Sequence, residues 1–361
     1  MSLLTSCTAS PASAVSKVER KSHQIGKPPG LHFSLYRHFI LDCPPWIREN
    51  VIEDQQEPLR GVVIMLTIDV IKKRISCRTY KSCPLQDVDR QKLKDFLRAD
   101  IRGPFGNKMR FQIVDLAAKE QDEIKTLGAY GFIKGAKVFI VGAVAKGDWA
   151  MEDYGYGLER IILEATSLGL GTCWLGGTFN RSASASRIGK RDDEVVPAIT
   201  PVGYPGDRRA VMDRAVRFIA KSHSRKAWEE LFFHGDDRSP LQRNVAGPYA
   251  PALECVRIGP SASNRQPWRV VKDKGENFFH FYIRRTPGYG KIFPDVSLQD
   301  IDMGIAMCHF EVAAQEIGRK GGWQRMPDAP PQRGLEYIVS WTEGLSPEKT
   351  RIRNEDAGKK I

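Results

Sequence analysis

The chain has 361 residues, enough for two ordinary domains or one large one, and its 41% hydrophobic and 27% charged fractions are those of a globular protein. No apolar run approaches the roughly 20 residues needed to cross a bilayer, so a soluble, cytoplasmic protein with no membrane partner is expected. The net charge of +12 fits Lys and Arg scattered over solvated faces. With no basic run interleaved with aromatics and no zinc-finger or basic-zipper spacing, no nucleic-acid partner is expected.

Residues 1–64 differ from the rest. They are rich in serine (Ser2, Ser6, Ser10, Ser13, Ser16), carry Pro28-Pro29 and Pro44-Pro45, and sustain no amphipathic period. They are expected to be a disordered extension. Translation from a misplaced upstream start and a transit peptide both fit, the second weakened by Asp42, Glu49, Glu53, Asp54 and Glu57.

After Met65 the pattern sharpens. Asp87 to Leu97 has helical spacing behind Pro84. Phe111 to Val114 and Lys137 to Val144 read as strands, the second buried on both faces. Leu158 to Leu168 places Ile161, Ile162, Ala165 and Leu168 on one face of a helix that Gly169 ends. A strand is expected over Val195 to Tyr204, and a short helix headed by Arg225-Lys226 with Leu231 and Phe232. Tyr249 to Ile258 reads as a helix, Trp268 to Lys272 and Phe278 to Ile283 as strands, Asp300 to Ile317 as a long apolar helix, and Glu336 to Trp341 as a last strand before a flexible tail, 343–361. No clean βαβ repeat runs through this order, so a mixed-sheet α+β fold is expected. An echo between Gly103 to Asn107 and Gly259 to Asn264, each after a helix and before a strand, suggests two related halves, 65–240 and 241–342.

The seven cysteines are irregularly spaced, with no C-x-x-C pair. That points to a reducing compartment and away from a disulfide framework or a zinc site. Cys173 reads as a small buried hydrophobe. The histidines show no metal spacing; His309, on the long apolar helix, reads as a satisfied core histidine, and Asp302 and Glu311 as helix-end and surface charges.

Three segments carry chemistry. In Arg74 to Arg78 (RISCR), extended backbone puts Arg74, Ser76 and Arg78 on one face, where two guanidinium groups and a hydroxyl suit a phosphate; a solvated strand edge would look the same. In Gly169 to Gly177 (GLGTCWLGG), the glycines let a flat ring approach the main chain; a tight loop with Trp174 in the core is the alternative. In Pro260 to Trp268 (PSASNRQPW), Ser261, Asn264 and Gln266 can bond a ring edge or hydroxyl chain, or simply cap neighbouring backbone.

Together these segments, with PVGYP, RKAWEELFF and DMGIAMCHFE, resemble the FMN-dependent nitroreductase family, and most closely its members with two nitroreductase-like halves in one chain. The resemblance implies a mixed sheet flanked by helices, duplicated as a monomeric single-chain pseudo-dimer. It implies FMN bound by Arg74, Ser76, Arg78, Trp174, Leu175, Gly176, Gly177, Arg225, Pro260, Ser261, Asn264 and Gln266. The first half would supply the arginine motif, glycine loop and Arg225, and the second the serine motif, giving one FMN per chain. The activity implied is transfer of a hydride from NAD(P)H to FMN N5 and on to a small-molecule nitro or quinone acceptor, with no catalytic side chain assigned. A flavin store or redox sensor is the alternative. Ile75 departs from the family pattern, which often has a basic residue there.

Overall fold

The computed structural model describes residues 66–116, 133–206, 224–275, 278–289 and 295–345. The expected extension and nearly all of the expected tail lie outside the described residues.

Helix α1 (Ile68–Lys73) starts where the Thr67 side chain accepts the Val70 N–H. Helix α2 (Asp87–Arg98) follows. Strands β1 (Met109–Asp115) and β2 (Val138–Ala145) pair antiparallel, Met109 opposite Val144 and Asp115 opposite Val138. Strand β2 is buried at all but its last residue, which is why its sequence is continuously apolar rather than alternating. Its other edge pairs with β4 (Glu194–Val195) and β5 (Ile199–Gly203), and β5 carries β3 (Gly171–Thr172). The single strand expected over Val195 to Tyr204 is therefore two pieces. Pro197 lies between them and has no N–H to give a ladder.

After helix α4 (Arg181–Arg187), the chain enters a second sheet through α5 (Trp228–Leu231), β6 (Phe232–His234) and β7 (Asp236–Pro240). Phe232, expected in a helix, instead takes extended backbone and pairs with Val270, and the strand alternation buries Phe232 in the main core and Phe233 in a separate cluster. Strand β6 runs parallel to β8 (Trp268–Lys272). Residues 232–240, grouped with the first half on sequence, thus pair in the second sheet. Helices α6 (Arg243–Ala246) and α7 (Ala250–Ile258) precede β8. The sheet is completed by β9 (Phe278–Ile283), β11 (Glu336–Glu343) and β10 (Gly321–Gln324), all antiparallel neighbours.

The first sheet reads β1-β2-β5-β3 and the second contains β8-β9-β11-β10, the same order with the same antiparallel senses. Between them pack the two long helices, α3 (Ala150–Ser167) and α8 (Leu298–Glu316). Helix α3 starts eight residues before the expected Leu158. Gly155 and Gly157 mask its period, and Gly155 is there for contact: a Cβ on it would land on the backbone of Ile301. Reciprocally, a Cβ on Gly304 of α8 would land on the backbone of Glu152. A spacing of 149 residues separates Gly155 from Gly304 and Glu152 from Ile301, so the crossing is self-complementary in the manner of a two-fold interface. Both helices end at a left-handed glycine, Gly169 (φ 73°) and Gly318 (φ 75°).

Around α8 and the second sheet, Tyr249, Phe279, Phe281, Phe310, Trp323 and Trp341 form a buried aromatic cluster with centroids 4.7 to 5.9 Å apart. Edge and tilted contacts predominate, as ring quadrupoles prefer. Cys255 and Cys308 fill gaps in the same core.

Candidate active site

The arginine motif leaves α1 with Arg74 as its C-terminal cap. It then runs extended beside the glycine loop: Ser76 forms a parallel bridge with Thr172, and the Cys77 N–H donates to Thr172 O at 2.7 Å. Leu175 pairs with Ile199 of β5, which ties the loop to the first sheet.

The serine motif follows α7 and is wound unusually. Ser263 (φ 48°), Asn264 (φ 54°) and Gln266 (φ 49°) are left-handed without being glycine, at a cost of roughly 1 kcal/mol or more each. Side-chain bonds hold them there. Ser261 Oγ accepts the Gln266 N–H (2.9 Å), and Gln266 Oε1 accepts the Lys226 N–H (2.8 Å). Asn264 Nδ2 donates to Ser224 O (2.7 Å) while its Oδ1 accepts from Arg225 Nη1 (2.7 Å). Asp302 Oδ1 accepts the Ala262 N–H at 2.8 Å.

One cavity of about 430 Å³ lies among these segments. It is lined by Arg74, Ser76, Arg78, Trp174, Gly176, Gly177, Arg225, Pro260, Ser261 and Asn264, which are ten of the twelve residues expected from the sequence. Leu175 and Gln266 do not line it: Leu175 packs into the first sheet's core, and Gln266 is buried beneath the serine motif it braces. Sequence reasoning missed the wall contributed by α8, namely Leu298, Ile301, Asp302 and Ile305, and also Tyr289, whose hydroxyl donates to Ser263 Oγ at 2.9 Å.

Asp302 corrects the expectation of a helix-end charge. It sits one turn inside α8, only 2% exposed, and Oδ2 has no partner. Burial raises its carboxyl well above the ordinary range, opposed by the Ala262 N–H and reinforced by the charge of Asp300. Glu311 is no surface charge either. It is half-buried and accepts the Trp323 indole N–H at 2.7 Å, and burial pushes its carboxyl up. The spacing of 149 residues also relates Asp302 to Asp153 of α3. Asp153 hooks the other Gly-Pro loop, its two oxygens accepting from Phe105 N, Asn107 N and Asn107 Nδ2 at 2.8 to 3.0 Å. Burial lifts its carboxyl to about 6 against those three donors.

The cavity's arginine end is strongly electropositive. Arg74 is buried, and Nη1 of Arg74 and of Arg78 lack hydrogen-bond partners. Arg225 donates to Ile258 O and Asn264 Oδ1, yet burial, then the charges of Arg74 and Arg257, lower it to about 10. Behind Arg74, Glu159 Oε1 lies 3.8 Å from Arg74 Nε and 2.8 Å from His309 Nε2. Glu159 Oε2 accepts the Trp174 indole N–H at 2.6 Å, and His309 Nδ1 lies 2.9 Å from Cys255 O.

Among the described residues, no group of three or more His, Cys, Asp or Glu could hold a metal ion, and no helix is long and apolar enough to cross a membrane.

No curated protein matches the chain. Similar solved structures include a "putative nitroreductase" from Thermotoga maritima (18% identity, 79% of this chain and 98% of that one, TM-score 0.48). Others are an FMN-dependent nitroreductase from Clostridium difficile (22%, 39% and 89%, TM-score 0.33) and a "putative NADH dehydrogenase/NAD(P)H nitroreductase" from Bacteroides thetaiotaomicron (21%, 39% and 88%, TM-score 0.34). The family model described as "Putative TM nitroreductase" matches residues 67–314, from the start of α1 to near the end of α8. Since that match takes in most of the chain and every segment lining the cavity, the protein belongs to the nitroreductase family of oxidoreductases.

Proposed function

We propose that the cavity binds FMN, one per chain, and that the protein catalyses NAD(P)H-driven two-electron reduction of a small nitro or quinone-type acceptor. The observation that carries this reading is the convergence of Arg74 and Arg225 on one cavity wall. Burial and the neighbouring charge of Arg74 lower Arg225, an arrangement that an anion in the cavity would relieve, and the orphaned Nη1 donors of Arg74 and Arg78 fit phosphate oxygens.

When bound, FMN supplies two-electron chemistry at its ring N5. The chain's residues bind and orient. Gly176 and Gly177 bring bare backbone to the cavity wall, Gly176 packed close under Leu298, and the Trp174 indole, fixed by Glu159, borders them. Ser261 and Asn264 present polar edges to the opposite side, and Leu298, Ile301 and Ile305 give α8 an apolar wall that excludes water.

The single-chain pseudo-dimer is supported by the shared strand order, the reciprocal glycine crossing and the recurring spacing, which also relates Trp174 to Trp323. The same spacing relates Gly176 to Arg325 and Leu298 to Trp149. Arg325 stacks over Trp149 at 4.3 Å, and Trp149 stacks on Phe105 at 5.2 Å. Larger side chains, stacked on one another, thus stand at the positions that correspond to Gly176 and Leu298, which favours a single occupied site.

Flavin released from the purified protein, measured by absorbance against chain concentration, is expected near one per chain; a value near two defeats the single-site reading. Steady NADH or NADPH oxidation with a nitroaromatic or quinone acceptor tests turnover. Its absence in flavin-loaded protein would leave a store or sensor.

A further inference from the structure

The buried pair Glu159–His309 has an arithmetic of protons that bears on Arg74. His309 Nδ1 faces the Cys255 carbonyl, which can only accept, so Nδ1 carries a hydrogen. His309 Nε2 and Glu159 Oε1, 2.8 Å apart, share one further proton. Whichever of the two atoms holds it, the pair as a unit is neutral. Glu159 is wholly buried and its other oxygen is committed to the Trp174 indole. Without that shared proton, Glu159 would be a bare carboxylate 3.8 Å from Arg74 Nε, in a place where 9% exposure of Arg74 leaves little water to screen them.

We propose that His309 is a positioning residue that neutralises Glu159, so that Arg74 keeps its full charge for an anion in the cavity. Glu159 holds the guanidinium and the Trp174 ring in place; His309, reaching across from the other long helix, keeps that carboxylate from consuming the charge. The anion grip of the α1 end then depends on a side chain from α8. This rests on the cavity being an anion site, the reading given above.

The test replaces His309 by Gln, a neutral group that can still donate to Glu159 and leaves the carboxylate charged. Affinity of the full chain for FMN, for riboflavin and for inorganic phosphate is measured by titration, with thermal shift for phosphate. In the parent protein FMN is expected to bind more tightly than riboflavin. His309→Gln is expected to cut that preference ~10-fold while riboflavin affinity holds. The double variant Glu159→Gln/His309→Gln, neutral again, is expected to restore it. An unchanged preference in His309→Gln overturns the proposal and leaves the FMN reading standing, and so does equal loss of both flavins, the mark of a merely structural role. If the parent binds neither flavin but gains thermal stability from phosphate, and His309→Gln gains less, the FMN reading fails and the role of His309 stands. No response to phosphate or flavin in the parent sinks both.

Discussion

Asn264 spends its amide twice, on Ser224 O and on Arg225, while its own backbone is held left-handed. Asn264→Ala therefore releases both the loop conformation and the cation aimed at the cavity. FMN affinity is expected to fall at least tenfold, as it is for Arg74→Ala, by roughly the worth of one or two charge-assisted hydrogen bonds. Protein that purifies with undiminished flavin in both variants removes the site assignment. Away from the cavity, Arg110 and Glu194 form a two-pronged pair (Nε to Oε1 2.9 Å, Nη2 to Oε2 2.8 Å), and the Arg110 bonds lead in holding Glu194 down at about 2. Because the folded carboxyl is depressed below its ordinary 4.5, its contribution is present above that value and lost as pH falls towards about 2. Glu194→Gln should lower stability at pH 7 and flatten the acid limb of a denaturation curve between those limits; an unchanged acid limb contradicts this. The gathering of Arg74, Arg78, Gly176, Gly177 and Asn264 at one cavity was legible in the sequence, because each motif's residues are near neighbours along the chain. Asp302 and Glu311 were not, because their partners, Ala262 and Trp323, lie on loops and strands that only the fold brings against α8.

Helices with strong periods and clear stops were readable, and α2, α7 and α8 fall within two residues of expectation. The misses share a cause: local preference overridden by what packs on the element. Helix α3 hides its first two turns behind Gly155, needed for the α3–α8 crossing, and Gly157, which packs against Met109. Strand β6 looks helical until β8 supplies a parallel neighbour. Strand β10 begins Gly-Gly and shows no alternation, and a Cβ on Gly321 would strike the Trp341 ring of β11. Two glycines on α8 and its end separate contact from conformation. Gly304→Ala drives a methyl into the Glu152 carbonyl and is expected to cost ~3 kcal/mol or more. Gly318→Ala meets nothing within 4 Å and should cost about 1 kcal/mol, from its positive φ alone. Urea midpoints of the two variants rank them; equal losses would mean the helices do not pack through Gly304 as described.

Across the described residues, the chain builds one sheet and then lends β6 and β7 to the other before α7 begins. With α3 and α8 interlocked at bare backbone, neither sheet keeps a complete core alone. Far-UV circular dichroism and tryptophan fluorescence should therefore trace one coincident urea transition; two resolved transitions would show the halves to be separable. The family and the mixed-sheet class were legible in the sequence, but the loan of two strands was not, since it rests on pairing more than thirty residues ahead. The filled position at Trp149 and Arg325 has a further bearing. Where identical subunits assemble, any change to the gene is written into every copy of a pocket at once, so closing one closes all. On the reading of this chain as two related halves, each pocket has its own text, and an arginine could settle into one while the other went on serving chemistry undisturbed.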